Sequence, residues 1–477
     1  MKREIAKLTL VGVLLLAQRP AVSHAQSMMD GLFGAPSADD SPRLEAEAGL
    51  LLYESSWMDV VHDDGEEDLW DNDLRAMLSG KIKGQGWKVN LSVAASQSMA
   101  LGETNFDTLA EVEPWESYAV WNSSDWDLSA GYQITRWGRG AISLLDVVNP
   151  SDLRHGLSMP DEWMRRPVLQ LRYDYYFPKV ALHGVYNPLY RESLLASTTS
   201  DWSVVRISET QGIDQLPIFQ QSVQQQVFPG IKSYPPDDFL HGELGLWLTA
   251  AIPGWDLGAY YFTGYDRVPL PQFTEDFLIY VRNSNQSAID VLRDIQPQEV
   301  LLFNPLYEQK PERNHVLGAE ASTTMWGYVW RAELTFQPQV SLFREDLEFV
   351  RPAQVNALLG MDSLSSDTFV MSLNAIVSAT LIGRDTVLLQ TDRLNVGGVG
   401  VVRWMPEFVP LQLELRAGGL ANDGSMFAQP SVAWPFRDGH LLTTGLEIVE
   451  GREDHLAGAF SHNDTWMVRY RYQLTAD

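Results

Sequence analysis

The chain has 477 residues, 45% of them hydrophobic and 11% aromatic, with a formal net charge of −27 and no cysteine. The charge disfavours nucleic acid as a partner, and the missing thiols exclude disulfides, thiolate zinc sites and c-type haem attachment. Beyond residue 25 no apolar run approaches the roughly 18 residues that a spanning helix needs.

The first 25 residues read as a secretory signal peptide. Lys2, Arg3 and Lys7 precede an apolar stretch from Leu8 to Ala17, and Ser23-His24-Ala25 forms a small-x-small cleavage site. Removing this segment leaves 31 basic and 61 acidic residues, a formal −30. Residues 26–42 are polar, with Gly and Pro, and read as a flexible periplasmic leader. Residues 43–477 are expected to form one unit, a transmembrane β-barrel, with no N-terminal plug before it.

Period-two alternation begins after the leader and continues to the end. Leu169, Leu171, Tyr173 and Tyr175 alternate with Gln170, Arg172 and Asp174. Leu244, Leu246 and Leu248 alternate with Glu243, Gly245, Trp247 and Thr249. Tyr328, Trp330, Ala332, Leu334 and Phe336 alternate with Arg331, Glu333 and Thr335; Leu411, Leu413 and Leu415 alternate with Gln412, Glu414 and Arg416. In the last segment Trp466, Val468, Tyr470, Tyr472 and Leu474 form one stripe, while Met467, Arg469, Arg471 and Gln473 form the other.

Connections alternate between short and long. Short ones fall at 84–86, 122–125, 178–179, 253–254, 325–327 and 437–439. Long ones fall at 54–73, 100–114, 138–166, 188–241, 267–313 and 339–367. That asymmetry belongs to outer-membrane barrels, with tight periplasmic turns and long extracellular loops. In hydrocarbon only a helix or a closed sheet satisfies every backbone group, so the expected fold is all-β: an antiparallel up-and-down barrel of about 18 strands, with 14 to 18 compatible with the pattern.

On the alternation rule the polar stripe faces the lumen. It carries Lys88, Asp127, Arg172, Glu243, Arg331, Glu333, Glu414, Arg416, Glu447, Arg469 and Arg471. The signs nearly balance, so most of the acidity belongs to loops, such as the run from His62 to Asp68. This run reads either as a solvated acidic loop or as a divalent-cation site bridging lipopolysaccharide, and it lacks the spacing of a dedicated calcium loop. Arg331/Glu333 and Glu414/Arg416 are expected to build an ion-pair ladder across strands, or else a field that orients a solute.

One segment exceeds what a strand requires. From Trp137 to Arg154 a strand ends in Trp-Gly, an apolar stretch follows, and polar groups gather at Asp146, Asn149, Asp152 and Arg154 after a turn-forming Asn-Pro. It either folds into the lumen, with Trp137, Arg139, Asp146, Asn149, Asp152 and Arg154 as constriction candidates, or packs on the wall as a short helix. The pattern Gln133-x-x-x-Trp137-Gly138, then Asp146-x-x-Asn149-Pro150-x-Asp152, resembles a family of proteobacterial outer-membrane β-barrels of unknown function, porin-like in kind. Val185-Tyr186-Asn187-Pro188, Thr263 to Pro269 and Arg331-Ala332-Glu333 are similar to that family too. The resemblance implies an outer-membrane channel or transporter, with no assigned substrate.

The expected function is therefore passage of a small solute through a polar lumen, with no enzyme activity, metal or cofactor. The alternatives are a structural sleeve or component of an export or electron-transfer complex, and a barrel-embedded hydrolase using His155 beside Asp152. No nucleophile elbow or metalloprotease motif supports the last. Outer-membrane lipid, lipopolysaccharide and the barrel-assembly machinery are the expected partners, with an oligomer or periplasmic partner left open.

Overall fold

The structure is a computed structural model. It describes residues 45–59, 68–102, 106–138, 143–144, 146–154, 163–194, 232–233, 242–268, 271–284, 286, 291, 307–344, 349–363, 368–383, 388, 391–422, 424–451 and 464–476. The signal segment, the leader, Arg139, His155 and most of the acidic run from His62 lie outside the described residues.

Antiparallel strands form one closed ring. They are β1 (Glu45–Asp59), β2 (Asp68–Gly84), β3 (Trp87–Gly102), β4 (Phe106–Pro114 continued by Ser117–Asn122), β5 (Trp126–Gln133), β6 (Val168–Tyr176), β7 (Val180–Asn187), β8 (Glu243–Ile252) and β9 (Trp255–Tyr265). The second half comprises β10 (Arg313–Met325), β11 (Tyr328–Gln337), β12 (Ala353–Ser363), β13 (Phe369–Leu381), β14 (Leu394–Trp404), β15 (Gln412–Leu420), β16 (Met426–Arg437), β17 (His440–Glu450) and β18 (Thr465–Ala476). Each pairs with its neighbours in sequence, and β1 pairs with β18 from Ala48↔Ala476 to Asp59↔Thr465, so no edge is left open.

Eighteen strands agree with the sequence rhythm, but three expected loops are shorter than read. The region 54–73 is largely strand, because β1 and β2 stay paired as far as Trp57↔Asp71. Residues Phe106–Pro114 pair with β3, and Ala353–Ser363 forms β12. Loss of clean alternation hid these strands: their outward faces carry polar groups, including Asn72, whose amide bonds to the Ser55 carbonyl and the Ser56 hydroxyl.

The alternation fixes which face is which. Leu78, Leu171, Leu244, Leu246, Leu248, Leu334, Leu359 and Leu415 are exposed on the outer surface. Trp121, Trp255, Trp404, Trp434 and Phe436 stand outward near the short-turn ends of their strands, as an aromatic girdle does. No described helix is long and apolar enough to cross a membrane; the crossing elements are strands. One helix, α1 (Glu275–Ser284), lies in the connection after β9.

Candidate functional site

The segment between β5 and β6 enters the barrel. Its described residues contain no helix, which removes the wall-packed helix for that part. Asn149 fixes its course. The Asn149 side-chain oxygen accepts from the Thr135 amide at 2.8 Å, and its nitrogen donates to the Gln133 and Arg166 carbonyls at 3.1 and 2.9 Å. Backbone bonds then tie the two arms together: the Asp152 amide donates to the Met164 carbonyl and the Arg166 amide to the Pro150 carbonyl, each at 2.8 Å. Asp146 pairs with Arg165 across the same arms. Burial raises the Asp146 carboxyl above the ordinary range, opposed by Arg165.

Trp137 is 2% exposed. It packs with Val148, Val185, Tyr260, Phe262 and Val316, with its ring edge-on to Phe262. Gly245 makes room for it, because a Cβ there would collide with the indole. Gly138 follows with φ 88°, where a Cβ would run into the Ser143 side chain.

The two ends of the segment reach different walls. At one end the Glu333 carboxylate on β11 accepts from the Leu144 amide at 2.8 Å and the Ser143 hydroxyl at 3.0 Å. At the other, Asp152 pairs with Arg75 of β2 at 2.9 Å and with Arg154 at 2.7 Å, and Arg75 also holds Asp73. Arg75, Asp73 and Asp152 are each at most 2% exposed. Arg154 donates on to Ser98 of β3 at 3.2 Å. In a ring of eighteen, β2 and β11 are nine positions apart and so face each other. Strands about 4.8 Å apart and tilted by about 40° give a circular ring roughly 35 Å across. Between these ends the described residues follow the inner face of the wall: Val148 packs with Val185 of β7 and Phe262 of β9, and its carbonyl accepts from Arg267.

A second set of bonds holds the base of the segment. Thr135, Gln170, Asn187 and Glu243 form a chain: hydroxyl to Gln170 at 2.5 Å, Gln170 to Asn187 at 2.8 Å, Asn187 to Glu243 at 2.9 Å. Arg267 closes it, donating to Glu243 and to the Val148 carbonyl at 2.6 Å each. The sequence reading missed Arg75, Asp73, Gln170, Ser143 and Arg267. Arg75 and Asp73 sit on the inward stripe of β2, and that signal was lost once 54–73 was read as loop.

The lumenal candidates lie on the strand stripes that alternate with the exposed apolar residues, in two groups. Glu243, Arg331, Glu333 and Glu447 are nearly fully buried. Glu447 accepts from Gln429 at 2.8 Å. Arg172, Glu414, Arg416, Arg469 and Arg471 are not buried to that degree. The expected ladder runs through other partners: Arg331 pairs with Asp362 at 2.7 Å and Glu414 with Arg403 at 2.7 Å, both across neighbouring strands. Arg172 pairs with Asp174 at 2.8 Å, and Arg469 lies 5.5 Å over the Tyr53 ring. Lys88 lies over Tyr118, and Asp127 accepts from Asn122 and Tyr176 at the short-turn rim.

Residues 102–406 match the profile of a family described as "Protein of unknown function (DUF1302)". No curated protein matches the chain. Among solved structures, OccAB3 of Acinetobacter baumannii is similar over 91% of this chain and 100% of its own, at 11% identity and TM-score 0.45. The outer membrane protein opdK of Pseudomonas aeruginosa covers 91% and 99%, at 10% identity and TM-score 0.45. Salmonella typhi OmpF, solved with daunomycin, covers 91% and 98%, at 8% identity and TM-score 0.41.

Proposed function

We propose, from the premise that this chain belongs to the DUF1302 family, that it is an outer-membrane channel admitting small solutes through a lumen narrowed by residues 138–166. The observation that carries this reading is the attachment of the segment inside the barrel at two distant strands, Asp152 to Arg75 of β2 and Leu144 to Glu333 of β11. A sleeve around a partner needs a clear bore; a segment held against the inner wall narrows it. The chain is read as a conduit, not an enzyme. The signal segment exports it, the assembly machinery inserts it, short turns lie in the periplasm, and long loops meet lipopolysaccharide outside.

Within the constriction the named residues take different roles. Trp137 and Asn149 are anchors, too buried to meet a solute. Asp152 and Arg154 bind the segment to β2 and β3. Asp146 ties the two arms together through Arg165, and Arg139 is a constriction candidate by its place in the sequence alone. Arg172, Arg416, Arg469 and Arg471 line the wall that a solute passes. The test is swelling of liposomes carrying the purified protein, with neutral solutes of graded size. Uptake that falls off at a size well below that of an open eighteen-stranded bore supports the reading. No uptake of any solute overturns it.

A further inference from the structure

Four aromatic rings run in a graded series along one wall of the barrel. Trp137, at the base of the segment between β5 and β6, lies 6.1 Å from Trp247 of β8, measured between ring centroids. Trp247 lies 5.0 Å from His183 of β7, and His183 lies 6.4 Å from Tyr176 of β6. Exposure rises along the series: Trp137 is 2% exposed, the His183 side chain 12% and Tyr176 41%. The series starts at the segment and opens where β6 ends, beside the short turn to β7.

Tyr176 stands out by its position. Among the described strand residues, every other exposed large hydrophobic lies on the apolar stripe; Tyr176 shares the polar stripe with Gln170, Arg172 and Asp174. An exposed aromatic ring on that stripe meets the aqueous bore and not lipid, so it contributes nothing to seating in the membrane. Its hydroxyl donates to Asp127 at 3.0 Å, and Asp127 also accepts from Asn122 at 2.8 Å. That bond and the T-shaped contact with His183 hold the ring in place.

Hydrogen-bonding groups flank the rings. Arg172 gives its Nε to Asp174 at 2.8 Å and remains 32% exposed. The Nδ1 of His183 lies 2.7 Å from the same carboxylate, and its Nε2 lies 3.4 Å from the Thr249 hydroxyl. Arg172 and Asp174 cancel in charge, so the pair serves a neutral solute and needs no counter-ion. An aromatic surface edged with such groups suits a pyranose. The C–H faces of the sugar lie on rings, and its hydroxyls accept from a guanidinium and donate to a carboxylate.

We infer that this wall is a saccharide subsite on the short-turn side of the constriction. A neutral pyranose stacks on the exposed ring of Tyr176 and bonds to the guanidinium of Arg172, with His183 and Trp247 continuing the aromatic surface inward. The inference deepens the channel reading by naming a solute class, and it rests on that reading for its use in transport. The binding itself is an equilibrium property. A barrel that binds sugar and does not conduct loses the channel reading only; one that conducts and does not bind sugar loses this inference only.

The probe is maltose, titrated against the purified full-length protein in lauryldimethylamine oxide, a detergent without a sugar head, and read by NMR saturation transfer from protein to ligand protons. Saturable millimolar binding is expected, with sorbitol, which has the hydroxyls but no ring, weaker by about threefold or more, the worth of one aromatic contact. Tyr176→Ser and Arg172→Met are each expected to weaken maltose binding by a similar factor. Tyr173→Ser, on the apolar stripe of the same strand, is expected to leave it unchanged. Heat-modifiable migration shows whether each variant is folded. Tyr176→Ser lies at the exposed end of the series and keeps the test decisive if Arg172→Met, which leaves Asp174 without its cation, fails to fold. Absence of saturable binding, equal binding of sorbitol, wild-type affinity in Tyr176→Ser, or equal weakening by Tyr173→Ser overturns the inference.

Discussion

The carboxylate of Glu333 on β11 accepts the backbone amide of Leu144 at 2.8 Å, although the two residues are 189 positions apart in the chain. Glu333 thereby holds the tip of a segment whose other end is fixed to Arg75 on the opposite wall. The bond is charge-assisted and largely shielded from water. It is worth about 1.5–3 kcal/mol by the general scale for bonds to charged groups.

Glu333→Gln keeps the shape and removes the charge. It is expected to free the segment tip, raise mean single-channel conductance and add current noise, with barrel stability changed by no more than about 1–2 kcal/mol. Unchanged conductance and noise would show that the tip does not set the aperture.

Arg75 sits between two carboxylates, Asp73 and Asp152, all three buried. Arg75→Met leaves two buried anions without their common cation, a loss of about 3–5 kcal/mol. Heat-modifiable migration is expected at a clearly lower temperature. Arg75→Met combined with Asp73→Asn is expected to recover part of that loss, since the carboxylate that remains, Asp152, keeps Arg154 as its partner. If the double variant is the less stable, repulsion is not the cause.

Gly138 and Gly327 both have positive φ, at 88° and 80°. At Gly327 nothing lies within 4 Å of an added Cβ, whereas at Gly138 the Cβ meets Ser143, the residue whose hydroxyl holds Glu333. Gly327→Ala should cost only backbone strain, about 1–2 kcal/mol. Gly138→Ala should show the same strain plus altered conductance. Equal conductance in the two variants would mean that Ser143 moves aside freely.

Asp146 supplies a pH test. Burial raises its carboxyl in the folded protein, with Arg165 opposing. The native state therefore holds a proton that the unfolded chain has already released. The stability so contributed is full below the ordinary carboxylate range and is lost as pH climbs through the raised value. Against Asp146→Asn, which cannot titrate, wild type should gain unfolding free energy between pH 7 and pH 4. A relative loss over that interval would reverse the assigned sign.

The barrel was legible because lipid imposes a period of two on the outer face, and Leu244 to Leu248 or Trp466 to Leu474 carry it openly. Strand ends near the long loops were not, since residues such as Asn72 face outward yet are polar. The segment between β5 and β6 announced itself through Trp137, Asn149 and Asp152, each of which fixes the loop by a bond or packing that needs that side chain. Its partners did not. Arg75, Arg267 and Glu333 bond to it across 77, 119 and 190 positions of the chain, and only closure of the ring brings them together. Alternation put Glu333 on the polar stripe but could not say what it would meet.

The measurement that bears most directly on that segment is single-channel conductance in planar bilayers, comparing intact protein with a variant in which residues 138–166 are replaced by a short Gly-Ser turn. The intact barrel is expected to conduct in small, discrete steps and the deletion in steps several-fold larger, as expected when a segment lining the inner wall of a bore of this size is removed. Steps of equal size before and after deletion would contradict the account.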